Sequence, residues 1–159
     1  MMTIEEYLEK PYWVVDILPK QVPENSGGQY FRIEGYYLEH PRIDALYVHF
    51  TNILLKLNCY DDIDVSPDGE EWTMNPSPND IAKMVQHTLT SRGMLYFIMQ
   101  SEDTMITITG YDTYMTVYHP SEDVLELLGD LSTAEGLFLW KPSTDKLPLN
   151  PSLTSSLHG

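Results

Sequence analysis

From Arg42 onward, apolar residues recur at steps of three and four: Ile43, Leu46, Tyr47, Phe50, Ile53, Leu54 and Leu57. That spacing gathers side chains on one face of an α-helix. Pro41 stands just ahead, at a first-turn position where a missing N–H costs nothing. The stripe predicts a central core helix ending at Leu57. Val48 and Leu55 fall outside the stripe on a helical wheel, so another element or a partner chain is expected to cover a second side of this helix.

Shorter patterns flank it. Thr3 and Glu6 have capping-box spacing ahead of Ile4, Tyr7 and Leu8, which predicts an opening helix that stops before Pro11. Tyr12 to Leu18 is β-branched and aromatic, with Trp13, Val15 and Ile17 on one side, and reads as a strand closed by Pro19 and Pro23. Glu24 through Gly28 reads as loop, and Tyr30 to Leu38 as a helix that Gly35 weakens. Asp61 to Val65 and Glu70 to Met74 form a hairpin around Ser66-Pro67-Asp68-Gly69, where proline and glycine suit the turn. Ser77 caps a helix with Pro78 in its first turn; Ile81, Met84, Val85 and Leu89 are its apolar face, and Arg92 and Gly93 end it.

Met94 to Gln100 is apolar on both alternating sets, as a strand covered on both faces should be. Thr104 to Thr109 follows, and Gly110-Tyr111 reads as a two-residue hairpin loop into Asp112 to Tyr118. These three strands form a meander. Ser121 caps a last helix with Val124, Leu127, Leu128 and Leu131 as its stripe, and Gly136 leads into a strand over Leu137 to Trp140. The order predicts an α+β fold, a mainly antiparallel sheet built from the meander and additional strands with helices packed on it. The periodic pattern stops after residue 140. Residues 1–140 therefore read as one domain and 141–159 as an extended or disordered tail, carrying Leu147, Leu149, Leu153 and Leu157.

Charge narrows the function. The chain has 24 Asp and Glu against 9 Lys and Arg, net −15. An excess of that sign argues against recognition of a nucleic-acid backbone and against anionic membrane surfaces. The opening residues are acidic instead of basic, and the longest apolar region, around Leu46 to Leu57, is cut by His49, Thr51, Asn52 and Lys56. Neither a secretory leader nor a membrane span is expected. The single cysteine, Cys59, fits a reducing compartment, so the expected location is cytoplasmic. Its acidic neighbours disfavour a thiolate, which makes it a buried structural thiol by this reading.

Two stretches look familiar: Tyr12-Trp13-Val14-Val15-Asp16-Ile17-Leu18-Pro19-Lys20-Gln21-Val22-Pro23, and the run from Asp112 through Pro120 and the last helix to Glu135-Gly136-Leu137-Phe138-Leu139-Trp140. They resemble a group of small acidic bacterial proteins of uncharacterised function. The resemblance implies a single domain, and no substrate, cofactor or catalytic residue comes with it.

Motifs for catalysis fail one by one. There is no Gly-x-Ser-x-Gly elbow and no glycine-rich phosphate loop. His40, His49, His87, His119 and His158 lack zinc-ligand spacing with one another or with Cys59. Asp64, Ser66 and Asp68, followed by Gly69, match the first half of a calcium loop, but position twelve is Asn75 where a bidentate Glu is needed. A plain hairpin turn is the better description, and no cofactor is expected. What stands out is 11 Tyr, 3 Trp and 8 Met beside strong acidity. Tyr, Trp and Met favour interfaces, and an acidic field steers basic partners. Tyr30, Tyr36, Tyr37, Tyr47, Tyr96 and Tyr114 read more simply as core lining with hydroxyls at its edge.

Two functions compete. The first is a non-catalytic interaction module, an inhibitor, immunity factor or adaptor, binding a basic protein through Asp61, Asp62, Asp64, Asp68, Glu70, Glu71 and Trp72, with Trp72 the aromatic expected to face the partner. A second copy of the chain is the other protein partner the pattern admits. The alternative is a small-molecule-binding domain or small enzyme whose site is assembled on the meander and lined by Tyr96, Tyr114, Tyr118 and His119.

Overall fold

The computed structural model describes residues 2–143; the tail expected beyond residue 140 lies mostly outside the described residues. Five helices and seven strands follow one another in the described residues: α1 Ile4–Leu8, β1 Tyr12–Asp16, α2 Gly27–Leu38, α3 Arg42–Leu57, β2 Ile63–Ser66, β3 Thr73–Met74, α4 Pro78–Ser91, β4 Met94–Met99, β5 Thr104–Thr109, β6 Tyr114–Tyr118, α5 Glu122–Ala134 and β7 Phe138–Trp140. The strands form one sheet in the order β3-β2-β4-β5-β6-β1-β7. Every neighbouring pair is antiparallel. This is an α+β fold. The meander β4-β5-β6 is its middle, the hairpin β2-β3 extends one edge, and β1 with β7 forms the other.

The predicted stripe of α3 makes the core. Ile43, Leu46, Tyr47, Phe50, Ile53, Leu54 and Leu57 are all buried, packed with Val85 and Ile81 of α4, Val124 and Leu128 of α5, and Phe97, Ile106 and Val117 of the sheet. Leu55 packs partly against this core, whereas Val48 is 49% exposed, so only one of the two residues outside the stripe is covered by the chain itself. Removing this apolar surface from water is the main stabilising term, at about 25 cal/mol per Å². The opposite face of the sheet carries two smaller clusters. One joins Tyr7 of α1 to Ile98 and Met105, with Trp72, Tyr96 and Tyr118 packed around it; the other joins Val14, Tyr114 and Trp140.

Local signals place the helix ends. Thr3 and Glu6 make both bonds of the capping box, Ser77 accepts the Asp80 N–H, and Ser121 accepts the Val124 N–H. Arg92, at φ 55°, supplies the left-handed residue that ends α4.

Several expectations are corrected. The segment read as loop over Glu24 to Gly28 is a short 3₁₀ turn, Glu24–Ser26, running into α2 from Gly27; the Ser26 N–H and hydroxyl both donate to the Pro23 carbonyl and set that turn. The β5-β6 connection is four residues, Gly110 to Thr113, not two. The cause is Tyr47: its hydroxyl lies 2.9 Å from the Thr109 carbonyl and 2.8 Å from that of Asp112, so both carbonyls turn toward the helix layer. Gly110 is required there, because a Cβ would sit 2.0 Å from the Thr88 carbonyl oxygen. Cys59 is exposed, not buried, since the apolar stripe stops at Leu57 and the thiol lies in the turn that follows. Tyr36 and Tyr37 are 53% and 41% exposed on α2, so they do not line the core.

Asp16 is the buried acid of β1, 2% exposed. Its Oδ1 accepts the Ile17 N–H at 2.7 Å and its Oδ2 accepts the Trp140 indole N–H at 3.2 Å. Burial pushes its carboxyl up to about 6, against the pull of these donors. The folded state therefore favours the protonated form. The stability contribution is full below the unfolded value of 3.8 and is lost as pH rises through about 6. Relative to Asp16→Asn, the wild type should lose about 2 kcal/mol between pH 4 and pH 7, at about 1.4 kcal/mol for each pKa unit over the part of the shift that this window spans. Chemical denaturation of both proteins across that range checks this.

Candidate functional site

The acidic residues singled out from the sequence lie along the β2-β3 edge of the sheet, Asp61 and Asp62 beside the β4-β5 turn and Asp68, Glu70 and Glu71 in the turn at the other end of β2. No Lys or Arg occurs between Leu57 and Ala82, nor between Gly93 and Trp140. Contacts link the acids of these two stretches. The Asp61 carboxylate accepts the N–H groups of Ser101, at 3.0 and 3.2 Å, and Glu102, at 3.2 Å, so the turn after α3 clamps the β4-β5 turn. Glu102 in turn accepts the Ser121 hydroxyl at 2.9 Å, which brings in the acidic start of α5. Asp103 accepts the Tyr7 hydroxyl, which brings in α1 with Glu5, Glu6 and Glu9.

The hairpin itself is wired from within. Ser66 is fully buried; its hydroxyl accepts the N–H groups of Asp68 and Gly69 and donates to Asp68 Oδ1 at 3.0 Å. The same Oδ1 accepts the N–H groups of Glu70 at 2.9 Å and Glu71 at 3.0 Å. These donors, Glu71 first, hold the exposed Asp68 carboxyl below its ordinary value. Asp64 accepts the Gln100 side-chain amide at 2.9 Å, and Asp62 accepts that of Asn75 at the same distance. Glu70 and Glu71 are exposed beside them.

Asp64, Ser66 and Asp68, the residues matching half a calcium loop, are thus each engaged with protein donors. Among the described residues, no group of three or more His, Cys, Asp and Glu side chains is placed to hold a metal ion. Asn75, at the failed twelfth position, instead bonds the Ile63 N–H and the Asn58 amide, tying the hairpin to the end of α3.

Trp72 is half-buried, not facing outward as expected. Its indole N–H donates to the Gly69 carbonyl at 3.2 Å, and its ring packs on the cluster of Tyr7, Ile98 and Met105. The reason is α1, which lies over this part of the sheet. Between α1 and the hairpin is a cavity of about 470 Å³ lined by Met2, Ile4, Trp72 and Ile98, with Glu5 and Asp64 contributing carboxylates. Helix α1 was legible in the sequence; its docking beside Trp72 was not, because no local pattern marks contacts between such distant segments.

The alternative lining residues are divided between two clusters. Tyr96 and Tyr118 pack around the Tyr7 cluster, while Tyr114 lies 6% exposed in the separate cluster with Val14 and Trp140. His119, at φ 60°, donates its N–H to the Pro11 carbonyl and places Nδ1 3.0 Å from the Asp103 carbonyl. None of the four lines the cavities between the helices and the sheet edges.

Comparison with family models, with curated proteins and with solved structures finds no match. Among the described residues, no helix is long and apolar enough to cross a membrane.

Ser66 carries the geometry of the hairpin. Ser66→Ala should cost about 1–3 kcal/mol, the usual penalty for removing a buried hydrogen-bonding partner. The amide protons of Asp68 and Gly69 should then exchange faster than those of β4. Hydrogen exchange read by NMR checks both the site and the direction.

Proposed function

We propose that this chain is a non-catalytic interaction module that binds a basic protein through the β2-β3 hairpin, the β4-β5 turn and the cavity beside Trp72. The observation that carries the reading is the pinning of the carboxylates. Asp61, Asp64, Asp68, Glu102 and Asp103 are each held by donors from the same chain, in a region where two long stretches contain no Lys or Arg. A carboxylate already fixed in place loses little rotamer freedom on binding, so more of its Coulomb attraction appears as affinity. Low side-chain mobility also keeps the field coherent, and a coherent field raises association rates.

The cavity supplies shape. Its apolar walls, Met2, Ile4, Trp72 and Ile98, suit the hydrocarbon stem of a lysine or arginine, and the carboxylates of Glu5 and Asp64 suit its charged head. A basic side chain from the partner would anchor there, with Glu70 and Glu71 forming an exposed acidic rim.

The test is a comparison of charge reversals at low salt. Wild-type protein immobilised at about 50 mM salt should retain a specific basic protein from lysate and release it above about 0.3 M, where the Debye length falls below 6 Å. Glu70→Lys with Glu71→Lys should lose that protein, while Glu126→Lys with Asp130→Lys, an equal change in net charge on exposed positions of α5, should keep it. Equal loss by both pairs would show that only net charge matters and would refute a site at the hairpin.

A further inference from the structure

The opposite edge of the sheet carries a second constellation, independent of the acidic hairpin. Arg42, His49 and Lys56 are spaced by seven along α3. Seven residues are close to two helical turns, so the three rise as one stripe. In a chain of net −15 this is a local concentration of basic groups. Against its middle lies Glu135, at the C-terminal end of α5. Glu135 Oε1 is 2.9 Å from His49 Nδ1 and accepts the Asn52 side-chain amide at 2.8 Å, while Oε2 is 3.4 Å from Lys56 Nζ. The Glu135 side chain is only 10% exposed. Burial pushes its carboxyl up, but the donors from Asn52, His49 and Lys56 overcome that and hold it below its ordinary value.

The stripe opens on a cavity. Arg42, His49 and Glu135 line about 320 Å³ together with Leu46 and Leu137. Ile17 and Tyr37 line this space and also a neighbouring cavity of about 370 Å³, whose other walls include Leu18, Val22, Pro23 and Ile33. One compartment is therefore polar at its end and the adjoining one mainly apolar. Glu34, the acid on the apolar compartment, accepts the Tyr30 hydroxyl at 3.4 Å.

The polarity of the head group follows from which donors remain open: the bonds of Arg42 to Tyr36 and Glu39 use Nε and Nη2 and leave Nη1 without an acceptor among the described residues. The Glu135 carboxylate is met by three donors, so an entering cation would have to displace them. Arg42 is oriented, with Nε donating to the Tyr36 carbonyl at 2.7 Å, Nη2 to Glu39 at 2.8 Å and its guanidinium 3.6 Å from the Tyr36 ring centroid. His49 is oriented through Nδ1, and its imidazolium form offers the N–H of the other ring nitrogen to an anionic ligand. Two oriented basic side chains beside an apolar compartment match a ligand with an anionic head and an apolar body.

We propose that the two adjoining cavities bind a small amphipathic carboxylate that passes between Ile17 and Tyr37, its head against Arg42 and His49 and its apolar body against Leu18 and Ile33. Saturated ten-carbon probes differing only in head group test this by calorimetry on the full chain. Decanoate should bind with a Kd of about 100 µM or tighter, and decylamine and decanol at least about tenfold more weakly. Arg42→Gln and His49→Gln should each weaken decanoate binding by about tenfold with an unchanged melting temperature. Ile33→Trp, a substitution at a half-exposed position, should fill the apolar compartment and abolish binding; it decides the matter should either polar variant fail to fold. Glu70→Lys with Glu71→Lys should leave decanoate binding intact, which separates this site from the hairpin. No decanoate binding at about 1 mM, equal binding of decylamine, or unchanged affinity in folded Arg42→Gln, His49→Gln and Ile33→Trp proteins would each overturn the proposal.

Discussion

Tyr47 ties the helical layer to the sheet. Its ring is fully buried against Phe50, and burial pushes its hydroxyl well above the ordinary phenol range, so the proton stays in place to be shared between the Thr109 and Asp112 carbonyls. A buried hydroxyl without such acceptors would cost about 1–3 kcal/mol. Meeting that demand opens the β5-β6 loop to four residues and presses Gly110 against the end of α4. The orientation of α3 follows, and with it the placement of both proposed sites. Its C-terminal turn delivers Asn58 and Asp61 to the hairpin and the β4-β5 turn. Its face turned from the core carries His49 and Lys56 to Glu135 at the end of α5 and Arg42 to the end of α2.

Charge is then distributed by the fold and not evenly. The acids at the start of β2, the β4-β5 turn, α1 and the start of α5 are tied together by hydrogen bonds between the segments that carry them, while those of the hairpin turn are held by bonds within it. Most of these bonds go to backbone N–H groups or hydroxyls, which satisfy the carboxylates without neutralising them. At the other edge, Glu135 is met by cationic and amide donors and its charge is largely compensated. One chain thereby presents an uncompensated anionic end and a locally balanced basic stripe, two environments suited to opposite kinds of ligand.

Much of this architecture is legible in the sequence where the cause is local. The stripe of α3, the capping box at Thr3 and Glu6, the Ser77-Pro78 start of α4 and the Ser121 cap of α5 are each determined within a few residues. The antiparallel α+β class follows from their order. Position in the sheet is not local: β1 lies between β6 and β7, both drawn from the far end of the chain. For the same reason, the pairing of His49 with Glu135 and the covering of Trp72 beside α1 leave no trace in spacing. The acidic segment from Asp61 to Glu71 was visible as composition, but whether its carboxylates are loose or fixed depends on partners such as Ser101, Gln100 and Ser121. Cys59 shows the limit of reading burial from neighbours, since its exposure depends on where the α3 stripe ends.

The account stands on the claim that a pinned anionic edge, and not net charge, selects the partner. Chemical-shift mapping of the ¹⁵N-labelled chain during titration with a short arginine-rich peptide measures this most directly. The account predicts shifts that begin at Asp61 to Trp72 and Ser101 to Asp103, saturate together and vanish as salt is raised. Shifts of similar size at Glu126 and Asp130 of α5, or none at the hairpin, would contradict it.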